Sequence, residues 1–285
     1  MYQRSELFFS GYDNSKLFLQ KWSAANSVGT ILFTHGQGEH SDCYQRLITG
    51  FENTGWSFIG WDLRGHGRSD GLRGYAQDFS EYVSDYDCFL KTALPLIEVK
   101  NKPVILLSHS MGGLIQTCAL IKKSYTEEFP NIKAQVLSSP LFGVAIAVPA
   151  WKDAGASLMH RLAPKITLGN EIKNEDLTRD KNVIREYEID TYRHDRISSG
   201  VYLGFKREFP LVAEHAAEIK LPTFLTVSDK DPVVSSEAAL KVFDLFPSEI
   251  KGLKIVEDAK HELFNDTCRN EVIAAVVEFA NQFKK

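Results

Sequence analysis

Short apolar runs separated by segments of helical periodicity make up most of the hydrophobic pattern of this chain. Apolar residues recur with the i, i+3, i+4, i+7 spacing of one helix face over residues 44–51, and with a similar spacing over residues 272–283. The apolar runs are short enough for buried strands and are bounded by polar or glycine-containing segments. They predict strands at residues 30–34, 57–61, 104–107, 134–138, 223–227 and 253–256.

The N-terminal part of the chain has a different pattern. Apolar and polar residues alternate over residues 6–9 and 16–22, around a turn at Gly11-Tyr12-Asp13-Asn14, which predicts an antiparallel hairpin. The later strands alternate with helices, and this order is typical of a mostly parallel sheet covered on both faces. The predicted fold class is therefore α/β, with an eight-stranded, mostly parallel sheet flanked by helices.

The alternation of strands and helices is interrupted between the runs at 134–138 and 223–227. This region has partly amphipathic helical sequence with Pro149, Pro164 and Pro210, and no clear strand pattern. We predict an inserted helical cap at residues 141–215, and a core formed by residues 1–140 and 216–285. Ligands of open α/β sheets bind outside the carboxyl ends of the strands, so an insertion at this edge would cover the site.

The stretch ILLSHSMGG, residues 105–113, ends an apolar strand at two serines and continues into a helical pattern. A nucleophile elbow needs this strand–turn–helix context, with small residues two positions before and after the serine. Ser110 meets the requirement with Ser108 and Gly112, whereas Ser108 would need the bulky Leu106 at one of these positions. Ser110 is therefore the candidate nucleophile. The short pattern alone fits an ordinary strand–helix junction equally well.

A nucleophilic serine needs a histidine base and an acid that orients it, in the chain order serine, acid, histidine for this kind of sheet. His261 follows the last predicted strand and is the candidate base. The candidate acid is Asp231, which precedes Pro232 and an apolar pair that can anchor its loop; Asp229 is the competing turn residue. The other histidines considered lie in the insertion and are interpreted as surface or packing residues: His160, His194 and His215.

An oxyanion hole needs two backbone N–H groups. The Met111 N–H, directly after Ser110, is the first candidate. The second is the Gln37 N–H, because the glycines on both sides of Gln37 allow its amide to turn toward the site. His35 begins this loop, and we interpret it as a hydrogen-bonding brace.

Composition excludes several functional classes. The hydrophobic fraction of 44%, the charged fraction of 25% and the net charge of −4 are those of an ordinary globular protein and do not favour nucleic acid as a partner. The four cysteines show no C-x-x-C or ligand-like spacing with histidine, so we expect free thiols and no metal. No signal-peptide or membrane-spanning run is present, which favours a cytoplasmic protein.

Five ordered motifs give the chain a specific resemblance. They are HGQGEHS (35–41), DLRGHGRSDG (62–71), SHSMGG (108–113), SDKDPVV (228–234) and AKHELFN (259–265). The chain resembles the α/β-hydrolase family, and within it the monoacylglycerol lipase and lysophospholipase branch. Ser108 and Ser228 stand where this branch usually has glycine.

The resemblance implies an α/β-hydrolase fold and a serine hydrolase that needs no metal or organic cofactor. It assigns Ser110 as nucleophile, Asp231 as acid and His261 as base, with the Gln37 and Met111 amides as the oxyanion hole. The expected substrate is a lipid monoester, either a monoacylglycerol or a lysophospholipid.

Other functions stay open at this point. A short-chain carboxylesterase or thioesterase would use the same triad, and a ligand-binding module could keep the fold without turnover. A peptidase of this fold is disfavoured, because the elbow lacks the tryptophan of proline-releasing peptidases. The apolar stretch at residues 141–151 is expected either to form an acyl-binding entrance that transiently contacts membranes, or to pack against the core.

Overall fold

The computed structural model describes residues 2–97, 102–123, 125–145 and 150–284. The strands are β1 (Gln3–Ser10), β2 (Lys16–Ser23), β3 (Gly29–Thr34), β4 (Trp56–Trp61), β5 (Val104–His109), β6 (Ile132–Ser138), β7 (Thr167–Gly169), β8 (Arg196–Ser198), β9 (Thr223–Ser228) and β10 (Lys251–Val256). The main sheet has eight strands in the order β1-β2-β4-β3-β5-β6-β9-β10, and a separate ribbon pairs β7 with β8. β1 and β2 form an antiparallel hairpin, β2 is antiparallel to β4, and the remaining pairs of the main sheet are parallel.

The helices of the described part cover both faces of this sheet. They are α1 (Gln45–Gly50), α2 (Ser80–Ala93), α3 (Met111–Lys122), α4 (Tyr125–Glu128), α5 (Ala150–Leu162), α6 (Asn174–Leu177), α7 (Lys181–Ile189), α8 (Ser199–His215), α9 (Ser236–Leu245) and α10 (Arg269–Asn281). Short 3-10 helices lie at Ser41–Tyr44, Leu94–Leu96 and Ala216–Glu218.

Two hydrophobic clusters, one on each face, form the core. Helices α1 and α10 pack into one cluster, and α2, α3, α8 and α9 pack into the other. Strand β5 joins the two, because successive side chains of a strand point to opposite faces. Leu106 enters the cluster of α2 and α3, whereas Ile105 and Leu107 enter the cluster of α1 and α10. A central strand that is buried on both faces therefore reads as a continuous apolar run.

The structure confirms the predicted mostly parallel eight-stranded sheet and the N-terminal hairpin. The prediction that the insertion contains no strand was wrong, because β7 and β8 pair as an antiparallel ribbon. Each of these strands has three residues, which is too short for a period of two to be visible in the sequence. The predicted helix at 44–51 is α1, preceded by the 3-10 helix at Ser41–Tyr44.

Residues 141–215, which we call the inserted segment, connect β6 to the region before β9. Its last helix, α8, contributes Val201, Phe205 and Val212 to the core cluster and packs against α3 and α9. At its start, Leu141 and Phe142 are buried in the same cluster. Among the described residues, no helix combines the length and apolarity that crossing a membrane requires.

Candidate active site

Ser110 lies in a strained turn between β5 and α3. Its backbone has φ 51° and ψ −120°, a region that non-glycine residues rarely adopt. The close approach of α3 to β3 explains the glycine that follows: a Cβ atom at Gly112 would lie 2.5 Å from the carbonyl oxygens of both Thr34 and His35. Ser108 is fully buried beneath the turn. The local geometry is that of a nucleophile elbow with Ser110 at its apex.

The structure brings Ser110, His261 and Asp231 together from three loops at the carboxyl ends of β5, β10 and β9. The Ser110 Oγ lies 2.9 Å from His261 Nε2, and His261 Nδ1 lies 2.8 Å from Asp231 Oδ2. The other carboxylate oxygen of Asp231 accepts hydrogen bonds from the Val233 and Val234 N–H groups, at 2.8 and 3.1 Å. The acid is thereby held by its own loop, and both ends of the imidazole have a partner.

Burial and charge set the protonation of this group of residues. Burial by itself would lower the pKa of His261, but the charge and hydrogen bond of Asp231 outweigh it and raise that pKa above its usual value. Burial would raise the pKa of Asp231, and the His261 contact lowers it overall. A charged Asp231 fixes the proton of a neutral His261 on Nδ1, which leaves Nε2 free to accept the Ser110 proton.

The loop after β3 contains Gln37 next to the elbow. The N–H of the neighbouring Gly36 is not available to a ligand, because it donates a hydrogen bond to Glu39 Oε1 at 2.5 Å. A Cβ atom at Gly36 would lie 3.0 Å from the Ser110 Cβ, so this backbone runs directly beside the candidate nucleophile. On the other side of the turn, Met111 is the first residue of α3, and its N–H therefore has no acceptor within the helix.

His35 braces this loop. Its Nε2 accepts the Leu63 N–H at 2.9 Å, and its Nδ1 donates to the Gly36 carbonyl at 2.7 Å. Burial lowers the pKa of His35 to about 3, so the ring stays neutral and keeps one tautomer. These contacts agree with the bracing role expected from the sequence.

The competing candidates lie elsewhere. Asp229 is exposed, as expected for a turn residue, and its Oδ1 accepts the N–H of Asp258, in the loop after β10, at 2.8 Å. His194 Nε2 contacts the Gly65 carbonyl at 3.0 Å, and His215 contacts Glu218 at 2.7 Å on the surface. None of these side chains contacts Ser110 or His261 in the described hydrogen bonds.

A buried layer of polar side chains lies next to His261 and was not predicted from the sequence. Glu262 follows the histidine directly, and its carboxylate lies 2.6 Å from the Arg193 guanidinium, which comes from the inserted segment. The Asn265 side chain also donates to Glu262, at 2.9 Å. Burial would raise the pKa of Glu262, but the charge of Arg193 outweighs burial and holds this pKa low. For Glu39, burial and the nearby charge of Glu262 act in the same direction and raise its pKa to about 7. The position of Glu262 next to His261 was the only sequence signal.

Comparison with known proteins places this geometry in a family. The family model described as "Serine aminopeptidase, S33" (Hydrolase_4) matches residues 25–268. The phospholipase YtpA of Bacillus subtilis is 28% identical over 267 residues, covering 92% of this chain and 98% of the relative. A monoacylglycerol lipase of Mycolicibacterium smegmatis is 29% identical over 269 residues, covering 92% of each chain.

Other relatives differ in length. The chain covers 28% of an uncharacterized abhydrolase domain-containing protein of Dictyostelium discoideum and 44% of the uncharacterized protein YnbC of Escherichia coli, so it spans less than half of these two curated relatives. Among solved structures, a monoacylglycerol lipase of Paleococcus ferrophilus has a TM-score of 0.74 and 26% identity, covering 99% of both chains. Fold and family model agree, and the chain belongs to the Hydrolase_4 (serine aminopeptidase, S33) family of α/β hydrolases.

Proposed function

We propose that this protein is a serine ester hydrolase that releases a fatty acid from a lipid monoester, a monoacylglycerol or a lysophospholipid. The observation that carries the proposal is the continuous hydrogen-bond chain from Ser110 Oγ through His261 to Asp231. A hydroxyl within hydrogen-bond reach of a base that is itself oriented by an acid is the arrangement that activates a serine.

In the proposed mechanism, the Ser110 Oγ attacks the acyl carbonyl carbon while His261 Nε2 takes the hydroxyl proton. The N–H groups of Gln37 and Met111 stabilise the negative charge that develops on the carbonyl oxygen. His261 then returns the proton to the departing alcohol, which leaves an acyl group on Ser110. A water molecule, deprotonated by His261, attacks this ester and releases the fatty acid, and the proton returns to Ser110. Asp231 stays ionised and stabilises the imidazolium at each step.

Two observations support a lipid monoester as substrate class. Relatives with matched length include a phospholipase and a monoacylglycerol lipase. The inserted segment also exposes large apolar side chains on α5: Leu158 is 59% and Leu162 is 71% exposed. These two residues are one helical turn apart and share a face. We propose that residues 141–215 act as a cap, and that this α5 face contacts the micelle or membrane that contains the substrate.

The first two residues of the apolar entrance expected at residues 141–151 do not face solvent. Leu141 and Phe142 are 6% and 4% exposed and belong to the core cluster, so they fit the alternative of packing against the core. Val144 is exposed. Ile146, Val148 and the Trp151 side chain lie outside the described residues.

The proposal is tested by Ser110→Ala, with Ser108→Ala as the matched control two residues away. Loss of the nucleophile should lower kcat by about 10⁴-fold or more. Ser108 Oγ is buried without a hydrogen-bond partner among the described residues, so its removal should leave substantial activity. A fluorophosphonate probe should label the wild type and Ser108→Ala and leave Ser110→Ala unlabelled. An unlabelled wild type would indicate a binding module without turnover.

Hydrolysis should be compared for long-chain monoacylglycerol, lysophosphatidylcholine, a short-chain ester, a thioester and an aminoacyl anilide. The anilide is included because of the aminopeptidase description of the family. We expect the two lipid monoesters to give the highest kcat/KM. Faster cleavage of the anilide, the thioester or the short-chain ester would overturn the lipid assignment while keeping the triad.

The acid is tested by Asp231→Asn, with Asp229→Asn as control. The amide favours the wrong histidine tautomer, so kcat should fall by about 10⁴-fold. Asp229 is exposed, and its Oδ1 accepts the Asp258 N–H. The asparagine oxygen can accept the same hydrogen bond, so this variant should stay close to wild type. Equal losses in both variants would show that Asp231 has no special role.

A further inference from the structure

The side chains of His40, Cys43 and Asp190 converge outside the triad, on the wall of a cleft of about 720 Å³. The cleft lies between α1, α7 and α10, and its lining includes all three residues. His40 Nε2 lies 2.8 Å from Asp190 Oδ2, and these two atoms and the Cys43 Sγ all lie within 4.8 Å of one another. An imidazole, a thiol and a carboxylate that face one solvent-accessible space form a donor set for a metal ion.

Local structure brings the first two donors together. His40 is the N-cap of the 3-10 helix at Ser41–Tyr44, and the Cys43 N–H donates to the His40 carbonyl at 3.0 Å. Side chains at positions i and i+3 of such a turn lie on the same side, so the sequence His40-x-x-Cys43 directs the imidazole and the thiol to the same place. The expectation that no cysteine has ligand-like spacing with histidine therefore needs revision at this pair.

The third donor comes from the inserted segment. Asp190 is the C-cap of α7, and its Oδ1 accepts the Tyr192 N–H at 2.9 Å. This hydrogen bond orients the carboxylate and leaves Oδ2 directed at His40. His40 is buried, and Cys43 and Asp190 are partly exposed, so an ion from solvent can reach all three from the cleft.

We propose that His40, Cys43 and Asp190 form a binding site for a thiophilic divalent cation such as Zn²⁺, with water from the cleft as the fourth ligand. Bonds of about 2.0–2.3 Å in a tetrahedral site place the ligand atoms about 3.3–3.6 Å apart. His40 Nε2 and Asp190 Oδ2 therefore separate by about half an ångström, and the Cys43 sulfur moves inward by up to about 1.3 Å from the 4.8 Å limit. Rotation of the three side chains can supply both changes.

Charge balance at the site is favourable. Binding releases the thiol proton to solvent, and the resulting thiolate and the Asp190 carboxylate cancel the two positive charges of the ion. The Arg193 Nη1 lies 3.3 Å from the Cys43 sulfur. Its charge is already compensated by Glu262 at 2.6 Å, so it can serve as an N–H donor to the metal-bound sulfur. Such outer donors orient ligands in known sites.

The alternative is that His40 and Asp190 form only a hydrogen-bonded pair and that Cys43 binds no metal ion. The two possibilities differ in whether the Cys43 sulfur bonds to a metal ion. Titration of the untagged, reduced full chain with Co²⁺ tests this directly, because a thiolate ligand produces a sulfur-to-cobalt charge-transfer band and a tetrahedral site produces visible d–d bands. We expect one equivalent of Co²⁺ to saturate both bands, and Zn²⁺ to displace it.

Cys43→Ser should abolish the charge-transfer band, whereas Cys88→Ser, at a partly exposed position of α2, should retain it. Removing a ligand should weaken Co²⁺ binding by at least about 100-fold, the upper end of the losses measured for outer-shell partners. Zn²⁺ should raise the Tm of the wild type and of Cys88→Ser, and not that of Cys43→Ser.

Asp190→Asn provides a second variant at a partly exposed helix end, for the case that Cys43→Ser does not fold. It should weaken Co²⁺ binding at least tenfold, because a neutral amide replaces a charged ligand. The proposal is wrong if the wild type shows no stoichiometric charge-transfer band, or if the folded Cys43→Ser protein keeps it. These readouts do not depend on ester hydrolysis, so failure of the metal site and failure of the proposed hydrolase function are distinguishable.

Discussion

Helices α5 and α7 both belong to the inserted segment, but they meet the rest of the molecule in opposite ways. On the α7 side, by which we mean residues 174–193, polar contacts lead directly to the loop of the candidate base. The Glu262 N–H donates to the Leu177 carbonyl at 2.8 Å, and the Arg193 guanidinium lies 2.6 Å from the Glu262 carboxylate. Both charged side chains are at most 10% exposed, so this end of the segment is attached through desolvated charges.

On the α5 side, the polar contacts of Asp153 lie within the inserted segment, and apolar groups face solvent. Asp153 contacts Tyr202 of α8 at 2.6 Å and pairs with Lys206. Leu158 and Leu162 remain exposed. Desolvated ion pairs demand one geometry, because separation of the charges leaves one of them buried and unpaired. Exposed leucines impose no such demand and are available to an apolar phase. This difference underlies our proposal that the α7 side positions His261 and that the α5 side contacts the lipid phase.

The largest expected effect is that of Arg193→Met on the α7 side. The substitution leaves the Glu262 carboxylate buried without its cation, and breaking such a pair costs about 3–5 kcal/mol. We expect a loss of this size in the free energy of unfolding, measured by urea denaturation, together with a lower kcat.

Arg46→Met is the matched control for this prediction. Arg46 pairs with Glu186 of α7 at 2.6 Å, but the two side chains are 30% and 55% exposed, and exposed pairs contribute about 0–1 kcal/mol. If Arg193→Met destabilised the protein no more than Arg46→Met, the buried Arg193–Glu262 pair would hold the inserted segment no more strongly than an exposed ion pair does.

An intermediate effect is expected for the double substitution Leu158→Glu with Leu162→Glu. Partial burial of two leucines in a micelle contributes a fraction of about 1.5–3 kcal/mol each. Hydrolysis of micellar long-chain monoacylglycerol should therefore fall about tenfold relative to a soluble short-chain ester, which corresponds to ~1.4 kcal/mol. Leu245→Glu, at an exposed position of α9, should leave this ratio unchanged. Equal losses on both substrates would contradict a contact between α5 and the lipid phase.

The smallest expected effect is a shift in the pH profile. The base must be neutral, so kcat/KM should rise with pH through the pKa of His261, which lies above its usual value of about 6.5. Glu262 contributes to this raised pKa through its charge. Glu262→Gln should therefore move the acid limb to lower pH, whereas the Leu158 and Leu162 variant should not move it. An acid limb that stays in place in Glu262→Gln would show that the Glu262 charge does not influence the pKa of His261.

Much of the fold and of the candidate site was predictable from local sequence, because the relevant constraints are local. Buried strands need apolar runs, and the strand–turn–helix junction at Ser110 needs a residue without a side chain at Gly112, where a Cβ atom would meet two carbonyl oxygens. The preference for Asp231 over Asp229 rested on the apolar pair after Pro232, and the structure holds Asp231 through the backbone of that pair.

Tertiary structure alone decided the contacts between residues far apart in the chain. Arg193 meets Glu262, 69 residues away, and Asp190 meets His40 at a separation of 150. No periodicity encodes these pairs, because each depends on how the inserted segment folds back over the sheet. The burial of Leu141 and Phe142 likewise follows from packing that an apolar run does not specify. The sequence thus determined the strands of the main sheet and the elbow, because steric rules act on neighbouring residues. The environment of His261 depended on long-range packing of charges.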